Sequence, residues 1–212
     1  GNHYVVGEAC DKAGNCKKQA SDAFYMDNSA PTITFEPNGN TTYAKSHNVK
    51  VTANANTGSL SSLQYIISSN ASANPNTPLT NGATLTLSNN TGTFYVIVKA
   101  CDSAGNCTTA SSNPFSLDNQ APTITFGTNG NNQTYAKTGS TTVTANANTG
   151  ALNTLQYTVS TSNTATPNTT LTNGGTVNLT GKTGIYYVVA KACDQAGNCT
   201  TKASNPFYLD NG

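Results

Sequence analysis

Tryptophan is absent from this 212-residue chain, methionine occurs once, and only 9% of the residues carry charge, against about a quarter in ordinary globular domains. Ten Lys and Arg stand against nine Asp and Glu, a net charge of +1. That balance supplies neither the basic stripe of a nucleic-acid binder nor an acidic solvating tail, so no nucleic-acid partner is expected. No apolar run approaches the roughly 20 residues of a membrane span. Membrane contact is expected only through parts of the protein outside this sequence. No leader-like segment opens the chain, which reads as a mature or excised piece. Histidine is nearly missing as well. His3 and His47 sit in unrelated contexts and complete no Ser/His/Asp set, and no Gly-rich loop runs from a strand into a helix. The chain is expected not to be an enzyme.

What is abundant is Asn and Thr, together about a third of the chain, and Thr favours strands. The chain is also repetitive, which fixes its organisation before any residue-level reading. CDKAGNC at Cys10 to Cys16 returns as CDSAGNC at Cys101 to Cys107 and as CDQAGNC at Cys193 to Cys199, after 91 and 92 residues. APTITF at Ala30 to Phe35 returns at Ala121 to Phe126, and VTANANTG at Val51 to Gly58 returns at Val143 to Gly150. The expected domains are a repeat over 29–119, a second over 120–212, and, over 1–28, the closing hairpin of an incomplete preceding repeat.

Within a repeat the apolar residues alternate: Ile33 and Phe35, then Val49, Val51, Ala53 and Ala55, then Leu63, Tyr65 and Ile67. Leu85 with Leu87 follows, then Phe94, Val96, Val98 and Ala100, with Tyr95, Ile97 and Lys99 on the other phase. Period-2 alternation marks half-buried strands, and Asn38-Gly39 and Asn81-Gly82 mark turns. About seven short strands in some 90 residues predicts an all-β fold of tandem immunoglobulin-like sandwiches arranged end to end. At the joint, Pro122 fixes its own φ and biases Ala121 to extended backbone, a stiffer link than a Gly/Ser tether.

A strand of the form Val-x-Lys-Ala, as at Val189 to Ala192, then Asp-x-Ala-Gly-Asn, a further strand and Asp-Asn-x-Ala-Pro resembles the bacterial Ig-like domains that repeat in large cell-surface and adhesin proteins. The resemblance covers essentially the whole chain. It implies an extracellular location, at a bacterial cell surface or cell wall, and a role as a stalk that projects a distal domain. It also allows an adhesin module that itself binds a host glycan or matrix protein, or a filament subunit that pairs by strand exchange. The partner is an unidentified host or cell-surface ligand. The chain departs from the common pattern by placing a Cys on each side of the turn.

All six Cys fall in pairs of one spacing: Cys10/Cys16, Cys101/Cys107 and Cys193/Cys199. If Asp-x-Ala-Gly-Asn turns the chain between adjacent strands, each pair meets across a hairpin at a Cα separation of roughly 5.5 to 6 Å, suited to a disulfide. A metal site would need four ligands, and the two histidines are not repeated. Disulfides in turn indicate an oxidising setting outside the cytoplasm.

Six of the nine acids occupy two repeated positions: Asp11, Asp102 and Asp194 in the turn, Asp27, Asp118 and Asp210 at the joint. One reading closes an Asx-turn with the turn aspartate and leaves the joint aspartate to cap a strand end. No cofactor is then expected. The other places calcium at the joint, on Asp102, Asp118 and Asn119, with backbone carbonyls completing the six to eight oxygens that calcium takes. Tyr65 and Tyr157 are expected in the core, Tyr95 and Tyr187 exposed as sugar-stacking faces. A Lys–Asn isopeptide bond at Lys45 or Lys99, or at their equivalents Lys137 and Lys191, lacks a spare acid to promote it. For residues 1–28, a lone hairpin is marginal in water, and packing on the first full domain or on a neighbouring chain's edge is expected.

Overall fold

The computed structural model describes all 212 residues. It is all-β, with 21 strands and no helix, and so contains no helix long and apolar enough to cross a membrane. The fold is that of tandem Ig-like β-sandwich modules. The chain packs as two compact units, Gly1–Glu36 with Lys50–Thr84 and Val96–Ser112, and Pro37–Val49 with Leu85–Tyr95 and Asn113–Gly212. Residues 29–119 contribute to both, whereas 120–212 lies in the second.

The chain opens with β1 (Asn2–His3), β2 (Val6–Cys10), β3 (Cys16–Ala20) and β4 (Phe24–Tyr25). These form two antiparallel ladders, β1 with β4 and β2 with β3. Then come β5 (Thr32–Glu36), β6 (Asn40–Ala44), β7 (Ser46–Asn54), β8 (Leu60–Ser68) and β9 (Thr77–Pro78). They are followed by β10 (Thr84–Ser88), β11 (Gly92–Asp102), β12 (Cys107–Ser111) and β13 (Phe115–Leu117). In the first unit β5 runs antiparallel to the end of β7, with Thr32 opposite Asn54 and Glu36 opposite Lys50. Val51 and Ala53 are buried while Lys50, Thr52 and Asn54 are exposed, the alternation a half-buried strand requires. The Asn81 side chain occupies a ladder position beside Ala53, accepting from its N–H at 2.8 Å and donating to its carbonyl at 2.9 Å. The amide thus does for two buried backbone groups what a neighbouring strand would do.

The end of β11 pairs with β12, Ile97 opposite Ser111 and Cys101 opposite Cys107. Here the alternation expected from sequence fails, because Val96, Ile97 and Val98 are all buried. Three consecutive apolar residues suit a strand covered on both faces, so Ile97 belongs inside and not on the outer phase.

In the second unit β13 pairs antiparallel with the start of β11 and parallel with β6, Phe115 opposite Asn40. The remainder is β14 (Thr123–Phe126), β15 (Ser140–Asn146), β16 (Leu152–Ser160), β17 (Thr169–Thr170), β18 (Gly175–Asn178), β19 (Gly184–Asp194), β20 (Cys199–Ala203) and β21 (Phe207–Leu209). One sheet has the order β14-β15-β18. The other has β17-β16-β19-β20, with β21 alongside β19. Ile124, Val143 and Val177 from the first sheet pack with Leu155, Val188, Phe207 and Leu209 from the second, the two-layer core of a sandwich. Gly139 packs closely on the core, since a Cβ there would lie 3.2 Å from Phe207 Cδ1 and 3.3 Å from Leu209 Cδ2.

Candidate functional site

The three Asp-x-Ala-Gly-Asn turns share one hydrogen-bond plan. Asp102 Oδ1 accepts from the N–H groups of Ala104 and Asn106 at 2.9 Å, and Oδ2 accepts from Asn106 Nδ2 at 3.0 Å. Asp11 accepts from Ala13 and from the backbone and side chain of Asn15, all at 2.9 Å. Asp194 accepts from Asn198 N and Nδ2 at 2.9 and 3.0 Å. The Asx closure expected from the sequence is therefore what these residues make. Gly105 takes φ +92°, a left-handed conformation that a side chain would oppose. Burial of Asp102 works against its charged form. Donation by the Asn106 side chain and by the backbone of Asn106, Ala104 and Gly105 outweighs it, and the carboxyl sits below its ordinary 3.8.

Each turn is stapled at its base. Cys10–Cys16, Cys101–Cys107 and Cys193–Cys199 are disulfides with Cα separations of 4.0, 4.1 and 4.1 Å, and no cysteine is free. The separation is shorter than the expected 5.5 to 6 Å because of register. Asp102 N donates to Asn106 O in the adjacent pair, which makes Cys101 and Cys107 a non-hydrogen-bonded pair, the closer kind. Replacing Cys193 and Cys199 together with Ser should cost about 2 kcal/mol, the low end for so short a loop. Denaturant titration against the intact chain measures it.

The turn asparagine also reaches beyond its own turn. Asn106 Nδ2 donates to Asp27 O at 3.0 Å, and Asn198 Nδ2 donates to Asp118 O at 3.0 Å. A second asparagine, from the repeated VTANANTG segment, binds the same joints. Asn56 Nδ2 donates to Ala30 O at 2.8 Å and Asn148 Nδ2 to Ala121 O at 2.9 Å. Asn56 and Asn148 have φ of 65° and 66°, a conformation asparagine tolerates better than most side chains. From the other side, Asn119 N–H donates to Thr91 Oγ1 at 3.0 Å, and its Nδ2 donates to Lys45 O at 3.0 Å and Asn90 O at 2.7 Å. The joint Leu117 to Pro122 is thus tied along its length by side-chain amides.

The three residues proposed for calcium do not share these contacts. Asp102 lies in the first unit, where its partner Asn106 reaches Asp27. Asp118 and Asn119 lie in the second, and the carboxylate brought to Asp118 through Asn198 is that of Asp194. Asp118 is 1% exposed. Its Oδ1 accepts from Gln120 N at 3.0 Å, while Oδ2 is buried with no protein partner. Sequence reasoning found Asp118 and the turn but missed Asn56, Asn148 and the reach of Asn106 and Asn198. The signal available was the repetition of these asparagines at equal positions. The tyrosines divide less cleanly than expected, since Tyr65, Tyr95, Tyr157 and Tyr187 are all half-buried.

No family model matches the chain, and no curated protein does. Among solved structures it is similar to the fibronectin(III)-like modules of Clostridium thermocellum CbhA, at 15% identity and a TM-score of 0.35, covering 84% of this chain and 94% of that one. It is similar to the D00-D0 domain of intimin, at 13% identity and a TM-score of 0.37, covering 84% of this chain and 100% of that one. The Sidekick-1 immunoglobulin domains 1–4 align at 17% identity and a TM-score of 0.38, over 100% of this chain and 58% of that one.

Proposed function

We propose that the chain is a spacer region of a bacterial surface protein, built of disulfide-stapled Ig-like repeats that hold a distal domain away from the envelope. The observation that carries this reading is the joint itself. Asn119 ties Asp118-Asn119 back to Lys45, Asn90 and Thr91, while Asn148 and Asn198 tie Ala121 and Asp118 forward. A binding module needs no such amides along its linker, whereas a spacer that keeps its length does. The three disulfides support an oxidising location outside the cytoplasm. The test is a paired one. Small-angle scattering should give one maximum dimension from low to high salt, and an Asn148→Ala/Asn198→Ala variant should give a broadened distribution. Titration of the chain against a panel of glycans, matrix proteins and host cells should show no saturable binding. Saturable binding would replace the spacer by an adhesin module.

A second reading rests on Asp118 Oδ2, buried without a protein partner, which suits a cation. Calcium would be held by Asp118 with backbone carbonyls of the joint and would neutralise a buried carboxylate. Asp194 already accepts from Asn198 through both its oxygens, so the donor set falls short of the six to eight oxygens calcium takes. Chelator is therefore expected to leave the melting temperature unchanged, and a calcium-dependent rise of several degrees would favour the ion.

A further inference from the structure

Residues 1–28 already have the backbone of the closing third of a repeat. Val5 N donates to Ser21 Oγ at 3.0 Å and Ser21 N to Val5 O at 2.8 Å. In 120–212, Val188 N donates to Ser204 Oγ at 3.0 Å and Ser204 N to Val188 O at 2.9 Å. β1 and β4 set Asn2 opposite Tyr25 and His3 opposite Phe24, as β19 and β21 set Ile185 opposite Tyr208 and Tyr186 opposite Phe207. The disulfide and the Asx-turn are the same as well.

Only the covering of the apolar side differs. Val5, Phe24 and Met26 are 65%, 54% and 53% exposed, whereas their counterparts Val188, Phe207 and Leu209 are 0%, 1% and 0% exposed. In the 120–212 repeat those counterparts are covered by Ile124, Val143, Leu155 and Leu179, with their neighbours on β14, β15, β16 and β18. A face whose every counterpart is buried by one kind of segment is shaped for that segment. Isolated, it leaves in water the large side chains that make a sandwich core.

We infer that the apolar face of residues 1–28 receives a polypeptide segment of the same kind as residues 121–183, and that the two close into a further sandwich. The occupant is a sparsely charged, Asn- and Thr-rich stretch with apolar residues at alternate positions of its strands, as 121–183 carries only Lys137 and Lys182. Gly1 is the counterpart of Gly184, which follows Thr183 in the 120–212 repeat. The inference is independent of the spacer reading, because it concerns a core and not a joint.

The experiment extends the whole chain at its start with a copy of Gln120–Thr183 joined to Gly1, and follows amide hydrogen exchange with intact mass. The expected result is protection at Val5, Val6 and Met26 on the order of 10³-fold above the unextended chain, as for residues moved from a fraying segment into a core. Phe24→Asp in the extended chain should abolish that gain and leave the amides of 120–212 unchanged. A second extension, a copy of Ser29–Thr91 in the same place, guards against failure of one added segment to fold. Exposure unchanged in both extended chains overturns the inference. Protection that instead appears in the unextended chain as its concentration rises, together with a doubled mass, also overturns it and makes the occupant a second copy.

Discussion

Phe207→Ala should destabilise the chain by about 3–5 kcal/mol, while Phe24→Ala, at the equivalent position, should stay within about 0.5 kcal/mol. Phe207 is almost fully buried in the core of the 120–212 sandwich, whereas Phe24 is more than half exposed. Truncation at Phe207 loses the transfer free energy of the ring and leaves a cavity beside Gly139, whose lack of a side chain offers nothing to collapse into the space. Truncation at Phe24 removes atoms that already face water. Urea titration of both variants measures the contrast. Equal losses would mean that the face of residues 1–28 is buried in solution.

Asn198→Ala is the second large effect, at about 2–4 kcal/mol, because it strips two buried partners at once. The Asn198 amide donates to Asp118 O and to Asp194 Oδ2, and Asp118 and Asp194 are each 1% exposed. Neither acceptor has water at hand to replace the lost donor. The control is Asn15→Ala, which removes the same bond to Asp11 in an exposed turn and should cost far less. At roughly 2–4 °C per kcal/mol for a chain of this size, scanning calorimetry separates the two. Equal shifts would mean that the amide matters only to its own turn.

Much of the fold was legible because its determinants are local and repeated. Alternation at Val49, Val51 and Ala53 and at Ile124 reports which face is buried, since side chains in a strand point to opposite faces in turn. The disulfides could be read from a hairpin and a constant spacing, and the turn from an aspartate placed to close an Asx-turn. What escaped was whatever depends on a second element. Ile97 sits on the phase that alternation assigns to solvent, and its burial follows from cover that no local pattern encodes. Asn198 looks like an ordinary turn residue, and its bond to Asp118, 80 residues away, exists only once the sheets have formed. The same limit explains the calcium triad. Asp102 and Asp118 are near in sequence, but Asp194 supplies the carboxylate that Asn198 links to Asp118.

The disulfides join cysteines only six residues apart. When a repeat is pulled open, each bridge therefore withholds only a small loop, roughly 20 Å of contour at about 3.4 Å per residue. The rest of a repeat, roughly 300 Å of extended chain by the same measure, is free to pay out. A bridge between distant strands would instead cap the extension early. A repeat built this way can lengthen under a sudden load by unravelling almost completely. It can then refold around a hairpin that never lost its register.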